Sequence, residues 1–167
     1  MLKRITIENF RGFKRLDIAQ DLAAVTVLMG PNSSGKTTVL HAILLACQVL
    51  DLALSGSVMA RAESASIVVG KDELIDAPGQ LLALRDWQAL FLDQVVGTGS
   101  TFQIKLVFGD KDALQALDLV IGYARNQQLK YTLRLTAPGA PQRSSNDKTL
   151  GDYSDRLKAW LRQHAPR

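Results

Sequence analysis

The chain has 167 residues, 47% hydrophobic and 22% charged, which is the composition of a globular domain long enough to bury a core and argues against disorder. Its net charge of +4 is carried by basic residues scattered along the sequence, which permits contact with nucleic acid but excludes a dedicated polybasic stripe. A single cysteine, Cys47, rules out a disulfide framework and fits a reducing cytoplasm.

No secretory signal is expected, because Met1 is followed at once by a charged, alternating segment. Leu2 to Phe10 places apolar Ile5, Ile7 and Phe10 between polar neighbours and predicts a half-buried strand. Arg11-Gly12-Phe13 reads as a turn and Arg15 to Ala19 as a second strand, so a hairpin opens the chain. Ala24 to Met29 is a brief apolar run consistent with a buried parallel strand. Residues from Thr37 to Leu54 contain no Gly or Pro and predict a buried helix. Its apolar stretch from Val39 to Leu54 is interrupted by His41, Gln48 and Asp51 and falls short of the roughly 20 residues that span a bilayer, so no membrane association is expected.

Ser55 to Gly79 is rich in small and polar residues and reads as a loop or insertion, with a short strand at Ile67-Val68-Val69. Leu81 to Val96 has helical spacing between Pro78-Gly79 and Gly97. Thr101 to Phe108 is strand-like, and Leu117 to Arg125 and Leu129 to Thr136 form a predicted hairpin around Asn126-Gln127-Gln128. Ala137 to Lys148 reads as a loop or disordered link. Asp152 to His164 predicts an amphipathic helix built on Tyr153, Leu157, Trp160 and Leu161, with Trp160 and Leu161 exposed.

Between the apolar run and the long helix lies Gly30-Pro31-Asn32-Ser33-Ser34-Gly35-Lys36-Thr37-Thr38, which satisfies G-x-x-x-x-G-K-[ST], the phosphate-binding P-loop. Each position has a physical job. Gly30 and Gly35 let the backbone turn so that consecutive N–H groups face an anionic phosphate. Lys36 reaches the β- and γ-phosphates as a point charge, and the Thr37 hydroxyl is placed to ligate Mg²⁺. The positive end of the following helix adds to the same site. Strand, glycine loop and helix in succession are the context that this pattern needs, and they predict an α/β P-loop NTPase with an antiparallel β-subdomain.

The opening Ile-x-Ile-x-Asn-Phe-Arg-Gly-Phe (residues 5–13), followed by the apolar run and Gly-Pro-Asn-Ser-Ser-Gly-Lys-Thr-Thr, resembles the N-terminal ATPase lobe of the RecF, SMC and OLD (overcoming lysogenisation defect) group. These are ABC-type ATPases that act on DNA or chromosomes, and the Asn-Ser-Ser-Gly loop is most similar to OLD-like members. The resemblance is specific over residues 1–50, loose over 100–136 and absent elsewhere. It implies a P-loop lobe over 1–136 and a linker with a C-terminal helix over 137–167 that leads into a second half. Residues 30–38 would bind ATP with Mg²⁺, ATP rather than GTP being implied by the likeness alone. Arg11 would lie beside the nucleotide, and Gln88 or Gln94 would be the glutamine that senses the γ-phosphate and metal. A head-to-tail homodimer of the complete protein, contact with DNA, and a role in DNA repair, chromosome maintenance or phage defence belong to the same implication.

One expected element is missing from the sequence. Hydrolysis in this group needs four apolar residues followed by Asp-Glu, the Asp supporting Mg²⁺ and the Glu activating water. The nearest run, Ile67-Val68-Val69-Gly70-Lys71-Asp72-Glu73, has Gly-Lys between the apolar residues and the acids, and it precedes the Thr101 strand. Leu54-Ser55-Gly56-Ser57 resembles a γ-phosphate-clamping signature but sits just past the P-loop helix, where it reads as a helix-ending loop. His41 reads as a packed side chain on a buried helix. The expectation is an ATP-binding half of an ATPase, with Lys36 as its catalytic residue and no efficient turnover alone. Two other readings remain: a non-catalytic nucleotide sensor whose P-loop gates partner binding, and a nucleotide kinase, which the N-terminal hairpin and the lack of an Arg-rich lid disfavour.

Overall fold

The computed structural model describes residues 1–19, 22–23, 25–55, 60–63, 66–69, 74–75, 87–94, 96–109, 112–123, 129–142 and 150–164. Strands β1 (Leu2–Phe10) and β2 (Phe13–Ile18) form the predicted hairpin, and helix α1 runs over Lys36–Ser55. Three short strands follow: β3 (Ala60–Glu63), β4 (Ser66–Val69) and β5 (Leu74–Ile75). Two 3₁₀ turns cover Trp87–Leu90 and Leu92–Gln94. Strands β6 (Thr101–Phe108), β7 (Ala116–Tyr123) and β8 (Leu129–Thr136) precede helix α2 (Leu150–His164).

The strands make one eight-stranded sheet in the order β2-β1-β6-β7-β8-β4-β3, with β5 also on β8. Every pairing is antiparallel. The alternation read in the sequence explains its two faces. Ile5 and Ile7, Phe102, Ile104 and Leu106, Leu117, Leu119 and Ile121, and Tyr131, Leu133 and Leu135 all point to one side and are buried. Across the strands they meet in register, Ile7 with Ile104, Ile104 with Leu119 and Leu119 with Leu133, so a single apolar stripe crosses the sheet. The opposite face carries polar pairs, such as Gln103 Nε2 donating to Asp118 Oδ1 at 2.7 Å.

Helix α1 covers the apolar face with Val39, Ala42, Leu45, Ala46 and Val49, a spacing that puts all five on one side of the helix. No charged residue occurs between Lys36 and Asp51, so its other side is apolar too. There Leu40 and Leu44 are 57% and 46% exposed. A helix that is apolar all round is the kind that lies between two packed layers. Here one layer is present among the described residues. An apolar groove of about 390 Å³ opens alongside, lined among others by Leu22, Leu28, Leu40, Ile43, Leu106 and Phe108.

Four expectations are corrected. The parallel strand expected at Ala24 to Met29 does not form: residues 25–29 belong to no strand, and Val25, Val27 and Met29 are 81%, 72% and 88% exposed. The reason is that no neighbouring strand offers a ladder to them, and no parallel pairing exists among the described residues. The segment expected as a loop or insertion at 55–79 has its expected strand at Ile67-Val68-Val69, which lies within β4 and pairs with Leu135, Arg134 and Leu133, but it also contributes β3 and β5, expected as loop. The helix expected over Leu81 to Val96 is two 3₁₀ turns where described, broken at Asp93, whose φ is 54°; residues 81–86 and 95 lie outside the described residues. Finally, Leu161 is not exposed. With Tyr153 and Leu157 it is buried in the main core, and Trp160 is half-buried against it.

Helix α2 therefore packs as part of the same core. Leu157→Ala is expected to cost about 2–4 kcal/mol, the usual loss for a fully buried leucine, measured as a lowered urea midpoint at unchanged slope. An unattached tail helix would show no such change. No helix of the described residues is long and apolar enough to cross a membrane.

Candidate phosphate-binding site

The P-loop leaves the exposed 25–29 segment at Gly30 and enters α1 at Lys36. Its tight path is made by three residues with positive φ: Gly30 at 156°, Ser33 at 64° and Gly35 at 88°. Gly35 is required twice over. Its φ is one that L-residues rarely adopt, and a Cβ there would come within 2.3 Å of Phe13 Cζ. The β1–β2 turn is thus laid directly on the loop.

The loop closes on itself through Ser34 N–H donating to Pro31 O at 3.3 Å, and the helix starts with Val39 N–H on Gly35 O at 3.1 Å. Among the described residues, the N–H groups of Gly35, Lys36, Thr37 and Thr38 have no backbone acceptor. Those are the orphan donors of a helix start. No acidic residue stands in the first turn of α1 to neutralise them. The Lys36 ammonium donates to Gly30 O at 2.8 Å, Pro31 O at 2.7 Å and Ser34 Oγ at 3.3 Å. A charged ammonium held on neutral acceptors beside unpaired N–H groups is suited to an anion that would exchange for those acceptors. The donor set fits a polyphosphate. The Thr37 side chain is exposed and makes no hydrogen bond among the described residues, so its hydroxyl is available to Mg²⁺ together with phosphate oxygens and water. No group of three or more His, Cys, Asp or Glu able to hold a metal occurs among the described residues.

Arg11 lies in the turn that covers the loop. Its backbone sits in the left-handed region at φ 52°, its N–H donates to Leu90 O at 2.8 Å, and its Nη1 approaches His41 Nδ1 at 2.6 Å. Burial lowers the Arg11 pKa, though an arginine keeps its charge. His41 is consequently not the simply packed side chain expected from the sequence: it is half-buried and carries the arginine's hydrogen bond. Its position four residues after Thr37 puts the two on one face of α1. That spacing was the available clue, but only the fold brings Arg11 to it. Gln94 ends the second 3₁₀ turn at φ 56°, exposed, with its N–H on Phe91 O at 3.2 Å. The Gln94 side chain makes no hydrogen bond to a loop residue among the described residues. Residues 70–73 of the acid-bearing run and residues 56–57 of Leu54-Ser55-Gly56-Ser57 lie outside the described residues.

The His41 pKa is lowered from its ordinary 6.5, first by burial and then by the charge of Arg11. A lowered histidine stays neutral in the folded chain while the unfolded chain takes up a proton. Its contribution to stability is therefore full above about pH 6.5 and is lost as the pH falls through the folded value. A proton-NMR titration of the His41 ring is expected to show that low value, and Arg11→Leu to raise it towards 6.5. An unchanged His41 titration in Arg11→Leu would contradict the contact.

Comparison with known proteins finds likenesses for part of the chain. Residues 1–83 match the family model of an AAA ATPase domain. A stretch of 43 residues, 26% of the chain, is 46% identical to the OLD nuclease of Thermus scotoductus and covers 8% of that protein. The matched part is a small share of that relative's length.

Proposed function

We infer that this chain, an OLD-like AAA ATPase segment in its N-terminal part, is a Mg-ATP-binding lobe of a larger ATPase. One observation carries the reading: unpaired N–H groups at the start of α1 and a lysine ammonium on exchangeable carbonyls converge on a loop with the P-loop sequence. In this reading residues 30–38 hold the triphosphate, Lys36 neutralises charge on the β- and γ-phosphates, and Thr37 ligates Mg²⁺. The metal's chemistry is to neutralise phosphate charge during transfer. Arg11 adds a second cation at the edge of the site, and Gln94 is the candidate metal-sensing glutamine.

Efficient hydrolysis calls for an apolar run ending in Asp-Glu, which these 167 residues lack; in this reading a separate segment or chain supplies those acids. The exposed Val25, Val27 and Met29 beside the exposed side of α1 support a lobe that packs against more protein. A head-to-tail homodimer with nucleotide at the interface, action on DNA in repair or phage defence, and a cytoplasmic location complete the proposal. The test is calorimetric titration of this chain with Mg-ATP and with Mg-GTP, with phosphate release followed in parallel. Saturable ATP binding with negligible release is the expected result; fast turnover by the isolated chain would overturn the half-site reading.

A second reading is favoured by the same missing acids: a nucleotide-sensing module whose P-loop gates association and never hydrolyses. It predicts that partner binding changes with a non-hydrolysable ATP analogue while no acid-bearing segment restores turnover.

A further inference from the structure

Arg11 is pinned at three points. Its N–H is bonded to Leu90 O at 2.8 Å, its guanidinium carbon lies 5.8 Å from the Phe10 ring centroid, and Nη1 is 2.6 Å from His41 Nδ1. The backbone conformation at φ 52° is uncommon for a side chain of this size and persists only when its surroundings impose it. Strain of this kind gathers where a side chain must be aimed. The two-residue turn that carries Arg11 also seats Phe13 on Gly35 of the P-loop, so it lies along the loop and the first turns of α1.

A guanidinium has five donors, and His41 takes one. Nε is buried with no acceptor, and Nη2 has none among the described residues. Buried donors are rarely left unpaired, so this donor set is short of an anionic partner. Nδ1 accepts only if His41 is neutral with its proton on Nε2. Among the described residues, the charge that acts on His41 is Arg11 from the β1–β2 turn. The 87–94 segment offers Leu90 O to Arg11, and no carboxylate among the described residues is paired with Arg11 or His41.

We propose that His41 is a positioning residue: by accepting from Nη1 it fixes the Arg11 guanidinium so that Nη2 is presented to the triphosphate at the P-loop. His41 itself does not touch the nucleotide. The proposal rests on the reading of residues 30–38 as the ATP site.

The test is Mg-ATP titration of the wild-type chain, His41→Leu, His41→Asn, Arg11→Met and His41→Leu/Arg11→Met, each first shown to be folded by its urea transition. Asn places an acceptor oxygen near the position of Nδ1. His41→Leu and Arg11→Met are each expected to weaken ATP about tenfold, the loss of a charge-assisted hydrogen bond. The double variant is expected to be no weaker than either single one, because both remove the same contact. His41→Asn is expected to stay within about threefold of wild type, a rescue that a purely structural histidine would not show. Nitrogen-15 shifts of His41 are expected to report the Nε2–H tautomer and to change in Arg11→Met. Wild-type binding with an unaffected His41→Leu, or with additive losses in the double variant, would overturn this inference alone. A folded wild-type chain that binds no nucleotide would overturn the ATP reading and this inference with it.

Discussion

Lys36→Ala is expected to reduce Mg-ATP affinity by at least about a hundredfold, the equivalent of one or two hydrogen bonds from a charged donor. The ammonium is the charged group of the loop. It rests on Gly30 O, Pro31 O and Ser34 Oγ, all acceptors of an exposed turn, and a triphosphate offers it oxygens of full charge instead. Removing it also unties the carbonyls of the loop, so the urea transition must be compared alongside. Because Lys36 is bound at the protein surface, stability is expected to move by less than about 1 kcal/mol while binding is lost. A Lys36→Ala chain that binds Mg-ATP like the wild type would refute the assignment of residues 30–38.

Gly35→Ala is expected to destabilise the fold by about 2–4 kcal/mol and to abolish nucleotide binding, through two separable effects. The φ of 88° strains any L-residue, and the new Cβ would collide with the Phe13 ring. The ring would have to swing away, lifting the β1–β2 turn, and Arg11 with it, from the loop. A double-mutant cycle with Phe13→Ala separates the two: relief of the collision restores part of the stability, and the backbone strain remains. Full additivity of Gly35→Ala and Phe13→Ala in urea denaturation would show that the turn does not rest on the loop.

Much of the fold was legible because it depends on local pattern. Period-two alternation marked β1, β6, β7 and β8, and the apolar run free of Gly and Pro marked α1. Ile67-Val68-Val69 was legible as a strand, but its pairing with β8 across more than sixty residues was not. The Leu81 to Val96 spacing suggested a helix. In the fold, Phe91 bridges to Phe10 and packs its ring edge-on to Phe102 at 5.1 Å, and this tertiary contact overrides the local periodicity.

The sequence by itself was enough to mark the loop of the candidate site. Gly30, Gly35, Lys36 and Thr37 lie on contiguous backbone that runs into a helix start, so their order along the chain is already their arrangement in space. The antiparallel pairing of β1 with β6 and β4 with β8, the burial of Leu161 and the Arg11–His41 contact were decided only by the tertiary structure. Each joins groups distant in sequence, and such contacts form only when the summed packing of the core offsets the entropy of closing the chain between them. The same reason leaves Val25, Val27 and Met29 exposed despite their strand-like pattern: an apolar run becomes a buried strand only when a neighbour is there to receive it.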